Sequence, residues 1–195
     1  PTDISPQTTR VGLVGVGNMG TPMAANLLKA GWRVSVYDAV PQKAKSFAAE
    51  HGVTAASSLT EIATSADVVI TMLPDGHIVR RVALGAREGD DCLVEGLAKG
   101  AVIIDMSSSA PVGTRKLGED LRRHGIALID APVSGGVRGA VAGTLAIMIG
   151  GDKNLAEKYD GLLAAMGKRF YVGSLGSGHA AKVLNNYVSA AGLAA

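Results

Sequence analysis

The chain of 195 residues has a single cysteine, Cys92, so no internal disulfide can form. A lone thiol suits a reducing compartment, and we expect a cytoplasmic protein. Charge of either sign is sparse: 19 basic against 17 acidic residues leave a net charge of +2. There is no basic run able to neutralise a phosphate backbone, because Arg80-Arg81 and Arg122-Arg123 are only pairs. Nucleic acid is excluded as a partner on that ground. No apolar run reaches the roughly 20 residues needed to cross a bilayer, so no membrane span is expected. His51, His77 and His124 are scattered without the spacing of metal ligands, and no metal is expected. Cys92 has no matched histidine, which argues against thiol catalysis. Residues 1–9 are polar and lack the apolar core of a signal peptide; a flexible N-terminus is expected there.

What the chain does contain is apolar and glycine-rich. Hydrophobic residues make up 47%, a globular composition sufficient for one large domain or one domain plus a fragment. The 26 glycines have no three-residue period and suggest tight turns and close backbone approaches. Short apolar runs at 11–14, 34–37, 53–55, 68–73, 101–104, 126–129, 145–149 and 169–172 read as strands. Amphipathic stretches at 18–30, 41–51, 76–84, 111–124 and 154–165 read as helices, with a short one after Ser58, which has Glu61 three residues on in a capping-box pattern. Repeated alternation of strand and helix predicts a doubly wound, mainly parallel α/β sheet with extra C-terminal strands. The last segment, 178–195, reads as a very apolar helix that ends without a cap signal and needs a partner surface. We expect the C-terminus to be a cut end rather than a domain boundary.

Gly15-Val-Gly17-Asn18-Met19-Gly20 follows the first strand directly and opens the first helix. In that context G-x-G-x-x-G is a dinucleotide fingerprint of Rossmann type. Gly15 permits the tight turn, Gly17 lets the backbone approach a diphosphate, and Gly20 allows close helix–strand packing. The N–H groups and partial positive charge at the helix start suit that anion. Asp38, about 20 residues on at the end of the second strand, can accept hydrogen bonds from ribose hydroxyls and would repel a 2′-phosphate. Lys43 is the only nearby cation, so NAD is favoured over NADP. Three further segments carry polar chemistry. Asp130 to Gly136 offers the hydroxyl of Ser134 and paired glycines, Gly135 and Gly136, whose N–H groups can form a nest for a carboxylate. Asp105 to Ser109 lies at a strand's C-terminal end, where open α/β sheets place ligands. Gly176-Ser-Gly178-His-Ala-Ala-Lys182 leads into the final helix, and Lys182 and Asn186, four apart, share one face of it.

In joint order and spacing, Gly12 to Gly20, Asp130 to Gly136, Gly143 to Gly151 and Gly176 to Asn186 resemble the β-hydroxyacid dehydrogenase family. That family includes 3-hydroxyisobutyrate dehydrogenase, tartronate semialdehyde reductase and, more distantly, 6-phosphogluconate dehydrogenase. The resemblance covers about residues 10–187. It implies an NAD(P)-binding Rossmann domain over 10–175, with 176–195 beginning a long helix that leads to an all-α domain. It also implies hydride transfer between NAD and a small 3-hydroxy acid or the matching semialdehyde. Lys182 would be the general acid/base and Asn186 a substrate-positioning group. Ser134, Gly135 and Gly136 would hold the substrate carboxylate, and Leu73, Pro74 and Ser108 would lie beside the cofactor. The longer family form would be a homo-oligomer through its helical domain. Ser108 stands where family members often have Thr, which keeps the hydroxyl.

Two alternatives stand beside this reading. Imine reductases share the scaffold but usually replace the lysine with Asp or Tyr, whereas Lys182 is present here. A non-catalytic dinucleotide-binding module is the other, suggested by the short chain. Asn185 either shares the role of Asn186 or contacts the preceding loop. His179, one turn before Lys182, either tunes that lysine, touches substrate, or merely starts the helix.

Overall fold

A computed structural model describes residues 4–194. Six parallel strands form the first part of the sheet: β1 (Arg10–Val14), β2 (Arg33–Tyr37), β3 (Thr54–Ala55), β4 (Val68–Thr71), β5 (Val102–Asp105) and β6 (Ala127–Asp130). They run in the order β3-β2-β1-β4-β5-β6. Helices α1 (Gly20–Lys29), α2 (Pro41–His51), α3 (Leu59–Thr64), α4 (Gly76–Leu84) and α5 (Pro111–Arg123) cross between them. Every residue of β4 and β5 is buried, because helices cover both faces, and so these strands read as continuous rather than alternating apolar runs.

Local chemistry sets the helix boundaries. Pro41 and Pro111 occupy the first turns of α2 and α5, where a missing N–H costs nothing. The Ser58 hydroxyl accepts from Glu61 N–H at the start of α3, and the Asp75 carboxylate accepts from His77 and Ile78 at the start of α4. Two apolar layers result. One joins Leu13, Met23, Leu27, Val36 and Phe47; the other joins Ile62, Val79, Leu93, Ile103, Leu117 and Leu121. Burial of each such large side chain stabilises the fold by about 1.5–3 kcal/mol relative to exposure.

Beyond β6 the sheet changes direction. β7 (Val133–Ser134) and β8 (Leu145–Gly150) run antiparallel to each other, with Val133 opposite Ile147 and Ser134 opposite Ala146. β8 also meets β6 antiparallel at Asp130 and Gly150, while β9 (Gly167–Gly173) lies parallel to β8 on its other side. The helices here are α6 (Gly136–Ala142), α7 (Lys153–Lys158), α8 (Asp160–Ala164) and α9 (Ser177–Ala194). Val183, Leu184, Tyr187 and Val188 form an exposed apolar stripe on α9. No helix among the described residues is long and apolar enough to cross a membrane.

The structure departs from the sequence reading in four places. The strand expected over 68–73 ends at Thr71, and Met72 and Leu73 turn out of it. The segment 130–136, read as a turn, contains β7 and the start of α6. One helix expected over 154–165 is two, broken at Tyr159 (φ −97°, ψ 8°). There Tyr159 turns into the core while Asp160 swings to accept two hydrogen bonds from Arg169, at 2.9 and 2.8 Å. Of the N-terminus expected to be flexible, residues 1–3 lie outside the described residues. Residues 4–9 make a turn in which Thr9 N–H donates to Ser5 O, with Thr9 buried and Ile4 packed on the core.

Burial pushes the Tyr159 phenol up to about 12, with a smaller contribution from Asp67. The folded chain thus favours the neutral phenol. That contribution to stability is fully present below the ordinary value of 10.0 and is lost as pH rises from there toward 12. Urea unfolding at pH 9 and pH 11.5 should therefore show a loss that is smaller in Tyr159→Phe than in the parent chain.

Candidate functional site

The C-terminal ends of the parallel strands carry the polar groups of the site. β1 runs into Gly15, which sits at φ +100°, and a Cβ there would lie 2.4 Å from Met72 O. At Gly20 a Cβ would lie against Gly15 O, so α1 and β1 approach as closely as backbones can. Gly17 differs: nothing lies within 4 Å of where its Cβ would be. That open space, beside backbone, is what a diphosphate needs. α1 starts without a side-chain cap; Thr21 N–H donates to Gly17 O at 3.0 Å and Pro22 has none, so an anion would be met by the backbone of the Gly17-Asn18-Met19 turn that opens the helix. Asn18 is exposed and Met19 half-buried at this turn. Asp38 is half-buried; its carboxylate accepts from Val16 N–H at 3.0 Å and from Val40 N–H at 2.8 Å. It therefore braces the glycine turn from the end of β2. These residues fit a dinucleotide.

The next layer lies at the ends of β4 and β5. Asp105 is buried and fully engaged: Oδ1 accepts from Thr71 Oγ1 at 2.9 Å and from Ser107 N–H at 3.0 Å, and Oδ2 accepts from Ser109 Oγ at 3.1 Å. Ser107 Oγ in turn accepts from Leu73 N–H at 2.9 Å. This ties the turn holding Leu73 and Pro74 to the turn holding Ser108. Pro74 and Ser108 are themselves exposed.

The third layer joins α9 to the sheet. Asp130, wholly buried at the end of β6, accepts from Gly176 N–H and His179 N–H, both at 2.8 Å. A carboxylate receiving the amides of an incoming helix satisfies donors that have no partner within the helix. Gly178 is required there, since a Cβ would fall 2.3 Å from Met148 O. The His179 ring is buried as well. Nε2 donates to Ser107 O at 3.0 Å, and Nδ1 lies 2.8 Å from Thr114 Oγ1. Further along, Asn185 donates to Ser134 Oγ at 3.2 Å. Between these anchors lies Lys182, half-buried, and partial burial lowers its pKa from the usual lysine value. Asn186 is exposed one turn on, and Gly135 (φ +125°) and Gly136 (φ +58°) form the exposed start of α6.

The structure thus links the glycine turn, Asp38, Leu73, Ser107, Ser134 and the first turns of α9 through named contacts. Pro74, Ser108, Gly135, Gly136, Lys182 and Asn186 enter by their place in the chain. Asn185 is found not on the loop that precedes α9 but on Ser134 of β7, 51 residues earlier. No sequence signal marks the burial of His179, whereas Asp105 and Asp130 each end an apolar strand, the one local hint of theirs.

Asp130→Ala would leave two buried N–H groups without an acceptor. The loss should be on the order of 3 kcal/mol, readable as a lower urea midpoint with increased proteolysis of α9.

Comparison with known proteins agrees with this geometry. Residues 10–176 match the family model described as the NAD binding domain of 6-phosphogluconate dehydrogenase. Among relatives, the NAD-dependent L-serine dehydrogenase of Pseudomonas aeruginosa is 42% identical over 182 residues, 93% of this chain and 59% of that protein. The 3-hydroxyisobutyrate dehydrogenase of the same organism is 44% identical over 179 residues, 91% of this chain and 58% of that protein. A solved structure of Mycobacterium tuberculosis 3-hydroxyisobutyrate dehydrogenase with L-serine superposes with a TM-score of 0.86 at 42% identity, covering 93% of this chain and 60% of that one. An imine reductase from Myxococcus stipitatus reaches the same TM-score at 19% identity, a likeness of fold alone. The chain spans less than two thirds of the length of these relatives. It belongs to the family of NAD-binding domains typified by that of 6-phosphogluconate dehydrogenase.

Proposed function

We propose that this chain is the nucleotide-binding and acid/base part of an NAD-dependent dehydrogenase acting on a small 3-hydroxy acid or the matching semialdehyde. One observation carries the reading. α9 bonds Ser107 O, next to Ser108, through His179 and bonds Ser134 through Asn185, and Lys182 stands between those two contacts along the helix. The named functions of the L-serine and 3-hydroxyisobutyrate dehydrogenases support that substrate class.

Gly15, Gly17, Asn18, Met19 and Gly20 would hold the diphosphate at the start of α1, and Asp38 the ribose hydroxyls. Bound NAD would accept or return the hydride. The chain's own residues do the rest. Ser134 and the N–H groups of Gly135 and Gly136 receive the substrate carboxylate and orient its carbon chain. Neutral Lys182 takes the hydroxyl proton in oxidation, and the ammonium form returns it in reduction. A lowered lysine pKa serves both directions, because each protonation state is then accessible nearer neutrality. Asn186 positions the substrate, and Leu73, Pro74 and Ser108 line the cofactor side. Cys92, a buried lone thiol, fits the reducing cytoplasm. The exposed stripe of α9 would be covered by a helical part of the longer protein, which would also form a homo-oligomer.

Lys182→Ala should abolish turnover of short 3-hydroxy acids while NADH binding, followed by nucleotide fluorescence, survives; unimpaired turnover would remove the lysine from the mechanism. Cyclic imines in the same assay test the reductase alternative, and turnover there but not with hydroxy acids would favour it. The oxidation rate should rise with pH to a plateau with its inflection below 10.5, and the reduction rate should fall over the same range. Asp38→Ser should narrow the preference for NAD over NADP about tenfold, equivalent to ~1.4 kcal/mol.

A further inference from the structure

His179 is the buried polar residue that the proposed chemistry does not use. Its side chain is fully enclosed, it lies in the first turn of α9, and it touches three other parts of the fold. A carbonyl oxygen can only accept, so Nε2 donates to Ser107 O. Nδ1 meets Thr114 Oγ1 on α5, and the backbone N–H of the same residue donates to Asp130 on β6. Two buried carboxylates flank the ring: Asp105 Oδ2 lies 3.7 Å from Nε2 and Asp130 Oδ2 lies 3.5 Å from Nδ1. The partners of Nε2 lead directly to the cofactor side, since Ser107 holds Leu73 N–H and precedes Ser108.

Burying an imidazole among carboxylates is costly unless each polar atom is matched. A small apolar residue would fill a first helical turn at lower cost. What the imidazole adds is direction: two hydrogen bonds from opposite sides of a rigid ring fix both the rotation of α9 about its axis and its distance from β5. Lys182 is three residues further on, on the neighbouring turn of the same face. A rotation of the helix start would carry that amine off its line by a similar angle. An error of about 1 Å in such a group is enough to cost of the order of a hundredfold in rate.

We propose that His179 is the positioning residue of this site: by joining Ser107 to Thr114 from within the first turn of α9, it fixes the direction in which the next turn presents Lys182. The proposal rests on the dehydrogenase reading only in giving Lys182 a task; the placement of the amine can be measured without turnover.

The lysines are reductively methylated with labelled formaldehyde and titrated by NMR, with the Lys182 resonance assigned by its loss in Lys182→Arg. Emission from Trp32, the only tryptophan and a buried one, reports whether the core is intact. In His179→Leu the Lys182 midpoint should move up toward the ordinary 10.5 with Trp32 emission unchanged. His179→Gln, whose amide nitrogen can reach Ser107 O, should hold the midpoint near that of the parent chain. Thr114→Val, which removes one ring partner, should shift it part of the way. A midpoint that stays put in both His179→Leu and Thr114→Val overturns the proposal. Should His179→Leu fail to fold, Thr114→Val decides by the same criterion. Turnover of short 3-hydroxy acids is assayed separately in the parent protein. No turnover there, with the midpoint still governed by His179, would defeat the dehydrogenase reading and leave the positioning role standing.

Discussion

The Asp130 carboxylate, buried at the end of β6, receives the amides of Gly176 and His179 and so fixes where α9 leaves the sheet. Everything proposed for Lys182, Asn185 and Asn186 depends on that junction, because all three ride on the helix it anchors. The cost of dehydrating a carboxylate is offset by two charge-assisted hydrogen bonds to donors that a helix start cannot satisfy itself. Gly150 and Gly178 crowd the same point, with substituents at either colliding with Asp130 or its neighbours. The anchor therefore tolerates side chains on neither of the two backbones that meet there.

Much of the parallel part was legible in the sequence, since its signals are local. The apolar β-branched run of β4, the proline starts of α2 and α5 and the Gly15-to-Gly20 turn each depend on residues within a few positions of one another. The antiparallel addition was read less well. β7 is two residues long and α6 seven, too short to show a period. The break at Tyr159 depends on Arg169 reaching back from β9 to Asp160, a contact no window of helix propensity contains. Among site residues, glycines and Asp38 were found through a motif with a known spacing. Lys182 and Asn186 were found through family resemblance, and the burial of His179 had no periodic or compositional signal. Its ring partners lie 65 and 72 residues away.

The three layers of the site differ in how they are held. The glycine turn is held by backbone proximity, with Gly15 pressed on Met72 and Gly20 on Gly15. The ends of β4 and β5 are held by hydroxyl and carboxylate bonds around Asp105. The α9 layer is held by Asp130 and His179. Each layer passes to the next through one residue that belongs to both: Leu73 between the first and second, Ser107 between the second and third. Such an arrangement places polar groups where water is scarce without leaving them unmatched.

The bonds from Asp130 to Gly176 and His179 close loops of 46 and 49 residues. The Gly15 turn, by contrast, needs only β1, β2 and β4, all complete by Thr71. On the ribosome the Gly15 turn therefore emerges well before the Asp130 junction with α9, so the groups read as holding a nucleotide are made ahead of the segment that bears the amine.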